Sequence, residues 1–435
     1  MAKKKQDLSP EERLAAALVP EEEWPYALPD GWKWVRVKGL CKLNNGKAFK
    51  PKDWKENGVP IVRIQNLNDS TAPYHYYDGD IEDKFHLYGN ELLFAWSGTP
   101  GTSFGAHIWC GKEAVLNQHI FRVDFDDHLL DKTFFKHALN QQLTMLINKA
   151  HGGAGLQHVT KGAFEATPIC VPPLSEQRRL VARIESLFAK LDAAKEKVQS
   201  VLDSHENRKA ALLHDAFAGK LTAKWRREQG LSLNVWRIEK LENLCEKITC
   251  GKTPKNDIAP QGEIPYLKVY NIVNDEIDFQ SKPQYIPRDV HETKLQSSKL
   301  KPNDVVMNIV GPPLRKIAVI PDTYPEWNMN QAIVRFRPKA DLNYRFLYYA
   351  LLNPETLDDV IQKTKGVVGQ ANISITQSRN LKIKLPSLPE QQQIVRILDR
   401  LLAHEQRARQ AAEETLAAID RMKQAILARA FRGEL

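Results

Sequence analysis

The chain has 435 residues, of which 42% are hydrophobic, and it carries a formal net charge of +9 at pH 7. This length allows about two to four domains, and the basic surplus favours a polyanionic partner, with nucleic acid preferred over a membrane. No apolar run of about 18 residues occurs, so the sequence predicts no membrane span. The five cysteines are scattered and form no CxxC pair, which is typical of a reduced cytoplasmic protein and argues against disulfides or a zinc site.

The sequence contains a long internal repeat. Residues 172–221 align with 386–435 without a gap, and 16 of the 50 aligned positions are identical. The match continues upstream at slightly different offsets, as expected for loops of variable length. The matching segments include PPLSEQ (172–177) with PSLPEQ (386–391), AFAGKL (216–221) with AFRGEL (430–435), VPIVRIQNLN (59–68) with IPYLKVYNIV (264–273), and VLNQHIFRV (115–123) with NMNQAIVRF (328–336).

In chain order, the repeat predicts a domain and a long helix, followed by a second domain and a second long helix. Short β-branched runs bounded by Gly, Pro, Asn and Asp predict strand-rich domains. The fold class expected is α+β, with two strand-rich globular domains joined and separated by two long helices that form an antiparallel coiled coil with a pseudo-two-fold repeat. The predicted segments are an N-terminal arm with a short helix (1–24), domain 1 (25–170), spacer helix 1 (171–217), a linker (218–230), domain 2 (231–384) and spacer helix 2 (385–435).

The short helix in the arm is predicted over about 9–18. Ser9 can cap it, Pro10 stands at its first position, and Glu12 completes a capping box.

The two spacer helices contain neither Gly nor Pro from about 175 to 215 and from about 390 to 432. Their apolar residues recur in alternating steps of four and three, which is a heptad seam. About 40 residues make a rod of roughly 60 Å, too long to pack only on its own domain, so we expect the helices to pack on each other. The predicted seam consists of Leu180, Ile184, Leu187, Leu191 and Val198 in the first helix and Ile394, Leu398, Leu401, Ile419 and Ile426 in the second.

Three polar residues interrupt this seam, namely His205, Arg208 and Glu405. An antiparallel pairing places Glu405 opposite Val201 and within reach of His205 or Arg208, so it predicts an ion pair that also fixes the register. The alternative is that all three side chains extend to water.

These doubled motifs resemble the specificity subunits of type I restriction-modification systems. The resemblance rests on the paired Leu-x-Glu-Gln segments at 172–177 and 386–391 and the paired Ala-Phe-x-Gly-x-Leu segments, on LPDGWKWVRV at 28–37 and on GKTP at 251–254. The first repeat departs from the GKTP motif, with NNGKAFKP at 44–51. It implies two target-recognition domains, each reading half of a split, asymmetric site in double-stranded DNA. It also implies docking of two methyltransferase subunits and of motor-nuclease subunits, with S-adenosylmethionine, ATP and Mg on those partners and no cofactor in this chain.

The motifs of a catalytic site are missing from the sequence. Asn353-Pro354 is followed by Glu355 rather than by the second proline of an amino-methyltransferase motif, and Glu246 stands where a phosphate loop before Lys252 needs glycine. No HExxH zinc motif occurs. We therefore expect a non-catalytic subunit of a multi-subunit adenine methyltransferase and endonuclease, with no metal site.

Residues that read different half-sites should be polar and should differ between the repeats, whereas residues that build the shared fold should agree. Asn117, Gln118, Asn330 and Gln331 agree and are interpreted as structural. Lys47, Lys252, Arg315 and Lys316 are expected to hold phosphates. The predicted DNA-binding residues are Lys47, Arg63, Gln65, Asn66, Ser97, Thr99, Thr102 and Ser103 in domain 1 and Lys252, Thr253, Lys268, Tyr270, Asn271, Asn308, Arg315 and Lys316 in domain 2.

Four alternatives stay open at this point. Each predicted contact residue could instead be a solvated loop residue, and the basic linker 218–230 could touch DNA or simply cross over. The chain could also be the recognition subunit of a related, type IIB-like enzyme, in which one partner chain both methylates and cleaves. A coiled-coil scaffold that binds protein and no DNA is the alternative from another functional class.

Overall fold

The computed structural model describes residues 9–69, 71–98, 104–148, 157–364 and 371–435. The chain divides into unit 1, residues 1–198 and 415–435, and unit 2, residues 199–414. Each unit combines a strand-rich domain with part of both spacer helices, which confirms the predicted α+β class with two domains and long helices. The division falls inside the spacer helices, whereas the sequence analysis treated them as separate segments.

Unit 1 is built on two four-stranded sheets. The first is antiparallel, and its order is 41–45, 120–125, 92–95, 105–108. The second has the order 75–77, 59–62, 114–116, 86–87, with a parallel pair at its centre. The strands are Lys33–Arg36, Cys41–Asn45, Val59–Val62, His75–Tyr77, His86–Leu87, Leu92–Ala95, Ser97–Gly98, Gly105–Ile108, Ala114–Leu116, Ile120–Phe125, Gln157–His158 and Pro168–Val171.

Unit 2 repeats both sheets in the same order. The antiparallel sheet runs 245–250, 333–338, 305–308, 317–319, and the mixed sheet runs 285–286, 264–267, 327–329, 299–300. The strands are Arg237–Lys240, Cys245–Cys250, Ile264–Leu267, Ile272–Val273, Glu276–Ile277, Tyr285–Ile286, Lys299–Leu300, Val305–Asn308, Val310–Gly311, Ile317–Val319, Trp327–Met329, Ile333–Pro338, Ala371–Asn372 and Lys382–Leu385. The sequence repeat is therefore also a repeat of topology.

The helices include the predicted N-terminal helix, whose capping box is present. The Ser9 backbone N–H donates to Glu12 Oε2 at 2.8 Å, and the Glu12 N–H donates to Ser9 Oγ at 3.2 Å. None of the helices in the described ranges is both long and apolar enough to cross a membrane. The α-helices are Pro10–Ala15, Ile64–Asn68, Lys132–Gln141, Leu143–Asn148, Lys161–Glu165, Leu174–Asp203, His205–Phe217, Ala223–Glu228, Leu241–Leu244, Arg288–Glu292, Tyr344–Leu352, Pro354–Thr364, Ile375–Arg379 and Leu388–Ala430.

The seam residues at the start of each spacer helix are fully buried. Leu180 and Ile184 share one core with the unit 1 domain and with Phe431 near the end of the other helix. Ile394 and Leu398 share a core with the unit 2 domain and with Phe217. Burial of a Leu or Ile side chain contributes about 1.5–3 kcal/mol, so these positions join the helices to the domains. Of the other predicted seam residues, Ile419 is buried, and Leu187, Leu191, Val198, Leu401 and Ile426 are partly buried.

The two spacer helices are antiparallel within each unit. In unit 1, Asp192 pairs with Lys423 at 2.5 Å and Lys195 pairs with Asp420 at 3.3 Å, so the partner number falls as the other rises. In unit 2, Arg208 Nε donates to Glu405 Oε2 at 2.8 Å. The predicted ion pair between Glu405 and Arg208 is confirmed. The register of the two helices differs from the predicted one by about two helical turns, because Arg208 rather than Val201 lies beside Glu405.

The first spacer helix is interrupted, which corrects the prediction of one unbroken helix. It ends at Asp203 and resumes at His205. Ser204 Oγ donates to the Ser200 carbonyl at 2.6 Å, and an Arg208 guanidinium nitrogen donates to the Val201 carbonyl at 3.1 Å. Side chains that bond to backbone carbonyls compete with the helical ladder, which explains a break that the absence of Gly and Pro did not predict.

A buried glutamine fixes each spacer helix to its own domain. In unit 1, Gln177 Nε2 donates to the carbonyls of Leu129 and Pro172 at 3.0 and 2.9 Å, and its Oε1 accepts the Asp131 N–H at 2.8 Å. Gln391 makes the same three bonds in unit 2, to the carbonyls of 341 and 386 and from the N–H of 343, at 3.1, 3.0 and 2.8 Å. The glutamine of the repeated motif is thus an internal joint between helix and domain.

The glutamate of the same motif behaves differently in the two units. Glu390 is fully buried; it accepts hydrogen bonds from Arg226 and Thr222 on the linker at 2.6 and 2.7 Å and from Trp236 Nε1 at 2.9 Å. Glu176, its counterpart, pairs with Arg179 at the surface. The linker is therefore held internally through Arg226, which favours the crossover interpretation over a DNA contact for that residue.

This difference predicts unequal effects of one substitution at two equivalent positions. We expect Glu390→Gln to lower the free energy of unfolding of unit 2 by about 3 kcal/mol, because Arg226 is left as a buried, unpaired charge. The matched control Glu176→Gln, at an exposed pair, should cost less than about 1 kcal/mol. Urea unfolding of the full chain measures both. Equal losses for the two variants would contradict the assigned role of Glu390.

Candidate nucleic-acid interface

In both domains, a glycine packs closely against the backbone of an asparagine. Gly46 N–H donates to the Ile120 carbonyl at 3.1 Å, and Gly251 N–H donates to the Ile333 carbonyl at 3.0 Å. A Cβ on either glycine would lie 2.1 Å from the carbonyl oxygen of Asn117 or Asn330, respectively, so only glycine fits. The turn that departs from the family motif at 44–51 therefore has the same backbone contacts as the turn at 251–254.

The next shared element is an asparagine cap, which follows the strand Val59–Val62 in domain 1 and the strand Ile264–Leu267 in domain 2. Asn66 and Asn271 are buried, and each Oδ1 accepts a backbone N–H three residues earlier, from Arg63 and Lys268, at 3.0 Å. Their Nδ2 groups donate to loop carbonyls. Because both ends of each amide are occupied inside the fold, the prediction that Asn66 and Asn271 contact DNA is corrected to a structural role.

Two further predicted DNA contacts are also internal. Ser97 is buried, and its Oγ lies 2.8 Å from His158 Nδ1. Asn308 is fully buried; its Nδ2 donates to the carbonyls of Val310 and Pro313 at 3.1 and 2.7 Å, and its Oδ1 accepts the Lys316 N–H at 2.9 Å. Ser97 and Asn308 are therefore corrected to residues that hold the loop beside their strand. Thr99, Thr102 and Ser103 lie outside the described residues.

Arg63 and Gln65 face a cavity of about 290 Å³ in domain 1. Trp54, Gln118 and His119 line the same cavity, and the Arg63 guanidinium lies 5.6 Å from the Trp54 ring centroid. Burial lowers the pKa of His119, and the nearby charges of His158 and Arg63 add to this effect. The result is an open cleft with an aromatic wall, and it brings together side chains of the types that read base edges.

Trp54 and His119 were missed by the sequence argument. The Trp54 ring stacks on the His75 ring with centroids 4.2 Å apart, and the Trp96 ring lies 5.4 Å from His119. These aromatic residues lie at separate places in the sequence, so only folding brings them together. Lys47, predicted to hold a phosphate, donates from Nζ to Tyr77 Oη at 2.8 Å and lies over the Tyr77 ring.

In domain 2, Lys252, Thr253 and Tyr270 are exposed, and Lys268 is partly buried. Tyr266 Oη donates to the Lys252 carbonyl at 2.8 Å, which fixes the turn and leaves the lysine ammonium in solvent. Partial burial raises the pKa of the Tyr270 hydroxyl.

Arg315 and Lys316 are partly engaged inside unit 2. Arg315 adopts a left-handed backbone conformation with φ of 74° and pairs with Asp358. Lys316 Nζ lies 3.4 Å from the Val269 carbonyl. Both cations therefore have acceptors in the fold, whereas the Lys252 ammonium has none within the residues that the structure describes.

One group of potential metal ligands occurs among the described residues, formed by His291, Glu292 and Glu326. Asn328 Nδ2 donates to the Leu295 carbonyl and also faces His291 Nδ1 at 3.0 Å. An amide NH₂ can only donate, so Nδ1 accepts and the proton of the neutral ring sits on Nε2, where a metal would bind. The two carboxylates already pair with cations on Lys299 and Arg288, and the donor set does not fit a metal.

The asparagine caps predict that adjacent residues differ in their effect on stability. We expect Asn271→Ala to lower the free energy of unfolding by about 1–3 kcal/mol, because the Lys268 N–H and two carbonyls lose their partner. Tyr270→Ala, one residue away on the exposed side, should change it by less than about 0.5 kcal/mol. Urea unfolding of both full-length variants tests this. Equal destabilisation would mean that Tyr270, like Asn271, stabilises the fold.

Comparison with known proteins places the chain among DNA-specificity proteins. A family model described as type I restriction modification DNA specificity domain matches residues 29–202 and 234–414. The specificity subunit of the type I restriction enzyme EcoBI from Escherichia coli is 27% identical over 428 residues, covering 94% of this chain and 87% of that protein. The EcoKI specificity subunit from E. coli strain K12 is 23% identical over 430 residues, covering 94% of this chain and 90% of that protein.

Two solved structures share the fold. A chain from a type I R-M system, determined in a study of its complex assembly and conformational transition, superposes with a TM-score of 0.73 at 21% identity and covers 94% of this chain and 100% of its own length. The HsdS subunit from Thermoanaerobacter tengcongensis superposes with a TM-score of 0.58 at 21% identity, covering 95% of this chain and all of its own length.

Proposed function

This chain belongs to the family of type I restriction modification DNA specificity domains, and we propose from that premise that it reads a split, asymmetric DNA site through its two domains. The observation that carries the proposal is the asparagine-capped turn in each domain. The cap is the same and buried in both, whereas the preceding residue is exposed and differs, being Gln65 in one domain and Tyr270 in the other. A constant frame with a variable exposed residue is what two readers of different sequences need.

The side chains at these turns suit recognition of base edges. Arg63 and Gln65 in domain 1 offer bidentate donors and an amide, the groups that pair with guanine and adenine in the major groove. Lys268 and Tyr270 in domain 2 offer a cation and a hydroxyl, so a different base pattern is expected. Lys252, which is exposed in the same domain, would hold a phosphate.

The chemical steps are assigned to other subunits. We expect the chain to be non-catalytic and to dock two methyltransferase subunits and the motor-nuclease subunits of one complex. S-adenosylmethionine would then bind to the methyltransferase subunits, which would methylate adenine, and ATP and Mg would bind to the motor-nuclease subunits. The named relatives, which are specificity subunits of type I restriction enzymes, support this division of labour.

The two-reader proposal predicts separable changes in the methylated site. Arg63→Ala with Gln65→Ala should relax recognition in one half of the site, and Tyr270→Ala should relax it only in the other half, because each turn reads its own bases. The loss per altered contact should be about 1–3 kcal/mol of discrimination. Mapping of methylated bases in a genome carrying each variant measures this. If either variant altered both halves, the independence of the two readers would be refuted.

A second prediction compares an exposed cation, Lys252, with a cation that is paired inside the fold, Arg315. Lys252→Ala should reduce the slope of log K against log salt for duplex DNA by about one, because one phosphate contact is lost. Arg315→Ala, the matched control whose charge is offset by Asp358, should change the slope less. Titrations of the chain in complex with its methyltransferase subunits, with a fluorescent duplex, measure both. An unchanged slope for Lys252→Ala would remove it from the interface.

A further inference from the structure

The short strand that opens each repeat has an outer edge that is covered in unit 1. Lys33–Arg36 pairs with Pro168–Val171 on its inner side. On the outer side, the Val19 N–H donates to the Trp34 carbonyl at 3.0 Å, and the Arg36 N–H donates to the Ala17 carbonyl at 2.8 Å. The N-terminal arm thus covers this edge through an isolated antiparallel bridge between Leu18 and Val35.

The equivalent edge in unit 2 is open. Arg237–Lys240 pairs with Lys382–Leu385 in the same register, and the Leu241 N–H donates to the Leu381 carbonyl, so the Ile238 carbonyl and the Lys240 N–H point outward. Within the ranges that the structure describes, no backbone group pairs with either of them on that side. Ile238 is 69% exposed, whereas its counterpart Trp34 is 1% exposed. An open edge of this kind is a template for β-strand addition.

In unit 2, a cavity beside the open edge lies where the ring of Tyr26 lies in unit 1. There, the Tyr26 ring packs 5.0 Å from the Trp34 ring, and Tyr26 Oη donates to the Phe431 carbonyl at 3.0 Å. In unit 2 the equivalents of these two partners, Ile238 and Phe217, line a cavity of about 170 Å³ instead. Asn353, also in its lining, is 3% exposed, and its Oδ1 has no hydrogen-bond partner within the described part of the chain.

The segment that precedes the strand Arg237–Lys240 is too short to cover its outer edge as the N-terminal arm covers the edge of Lys33–Arg36. Trp32 and Trp236 are equivalent, so residues 222–235 stand in place of residues 1–31. Arg226, on the helix of that shorter segment, is bound to Glu390. The residues that follow leave apolar side chains in solvent, and these are Leu231, Leu233 and Val235.

The charges around the edge indicate what would cover it. Arg237, Lys382 and Lys384 are exposed around Ile238. The arm that covers the unit 1 edge is acidic on both sides of its apolar stretch, with Glu11 and Glu12 before it and Glu21–Glu23 after it. In a second copy of this chain the arm would be held on the edge of its own unit 1, which favours a different polypeptide as the occupant.

We propose that the outer edge of Arg237–Lys240 and the adjoining cavity form a docking site for an extended apolar segment with acidic flanks and a tyrosine-like side chain. Resting on the proposed function, we assign that segment to the methyltransferase subunit. Its backbone pairs with Ile238 and Lys240, its aromatic ring fills the cavity, and a donor on it bonds Asn353 Oδ1.

A peptide tests the docking site without the partner. A labelled peptide of residues 14–28, LAAALVPEEEWPYAL, should bind the full chain saturably in fluorescence anisotropy. Ile238→Lys should weaken binding at least about tenfold, and replacing Tyr26 in the peptide by alanine should weaken it as well. Tyr88→Lys, the control at an exposed aromatic residue of domain 1, should leave it unchanged. Absent binding, or equal binding to Ile238→Lys, would overturn the site.

Hydrogen exchange of the assembled complex tests the occupant. Amides of 236–241 should exchange at least about tenfold more slowly when the methyltransferase subunit is bound, with 33–37 unchanged. If the complex forms and binds DNA but 236–241 stays fast, the docking assignment fails and the proposed function stands. Protection that grows with the concentration of the isolated chain would identify a second copy and overturn the partner assignment. If no complex forms, the assigned partner of the proposed function fails as well.

Discussion

In each unit, one buried amide joins the long helix to the domain, and the arrangement of the unit depends on it. Gln177 and Gln391 each make three hydrogen bonds, two to carbonyls and one from an N–H, with almost no exposure to water. An unsatisfied buried amide would cost roughly 1–3 kcal/mol, so the helix is held to one orientation on its domain. The seam residues that follow, such as Ile184 and Ile394, are then carried into the core.

The second constraint is electrostatic and belongs to unit 2. Arg208 bonds both Glu405 and the Val201 carbonyl, which pins the antiparallel partner and interrupts its own helix at Ser204. A cation inside a seam is costly without a partner, and a pair at a single position selects one register over its neighbours. Stability and specificity of pairing therefore come from the same residue.

The sequence alone was sufficient for the architecture and for only part of the interface. The repeat, the capping box at Ser9 and the Glu405 ion pair follow from spacing and charge, and these are local properties of a sequence. The break at Ser204 depends on a side chain of the next turn, and the aromatic wall at Trp54 depends on strands that are distant in sequence. Neither property leaves a periodic signal.

The misassigned asparagines are instructive because a signal for them existed. Asn66 and Asn271 are identical in the two repeats, and identity between the repeats indicated frame residues elsewhere, as at Asn117. Their polar side chains favour a DNA contact, whereas their identity between the repeats and their burial indicate a role in the fold. Ser97 and Asn308 carry no such signal, since they occupy non-equivalent positions and only their burial shows that they hold loops.

The asymmetry of the two repeats extends from single residues to whole surfaces. Glu390 is buried against the linker, whereas Glu176 lies at the surface, and the first strand of unit 1 is covered, whereas that of unit 2 is open. Both differences have the same origin, because the segment that precedes the second domain is short and is held by Arg226. Duplication supplied the two halves, and the unequal segments before them gave each half a different surface.

The asparagine cap also has an evolutionary consequence. Since Asn66 and Asn271 satisfy the turn from inside, we expect the exposed neighbour at 65 or 270 to contribute little to the free energy of unfolding. Proteins tolerate few substitutions that lower the free energy of unfolding by several kcal/mol. We expect substitutions at 65 or 270 to lower it by much less. If the two turns read DNA as proposed, substitutions there would change the preferred nucleotide sequence with little effect on the scaffold.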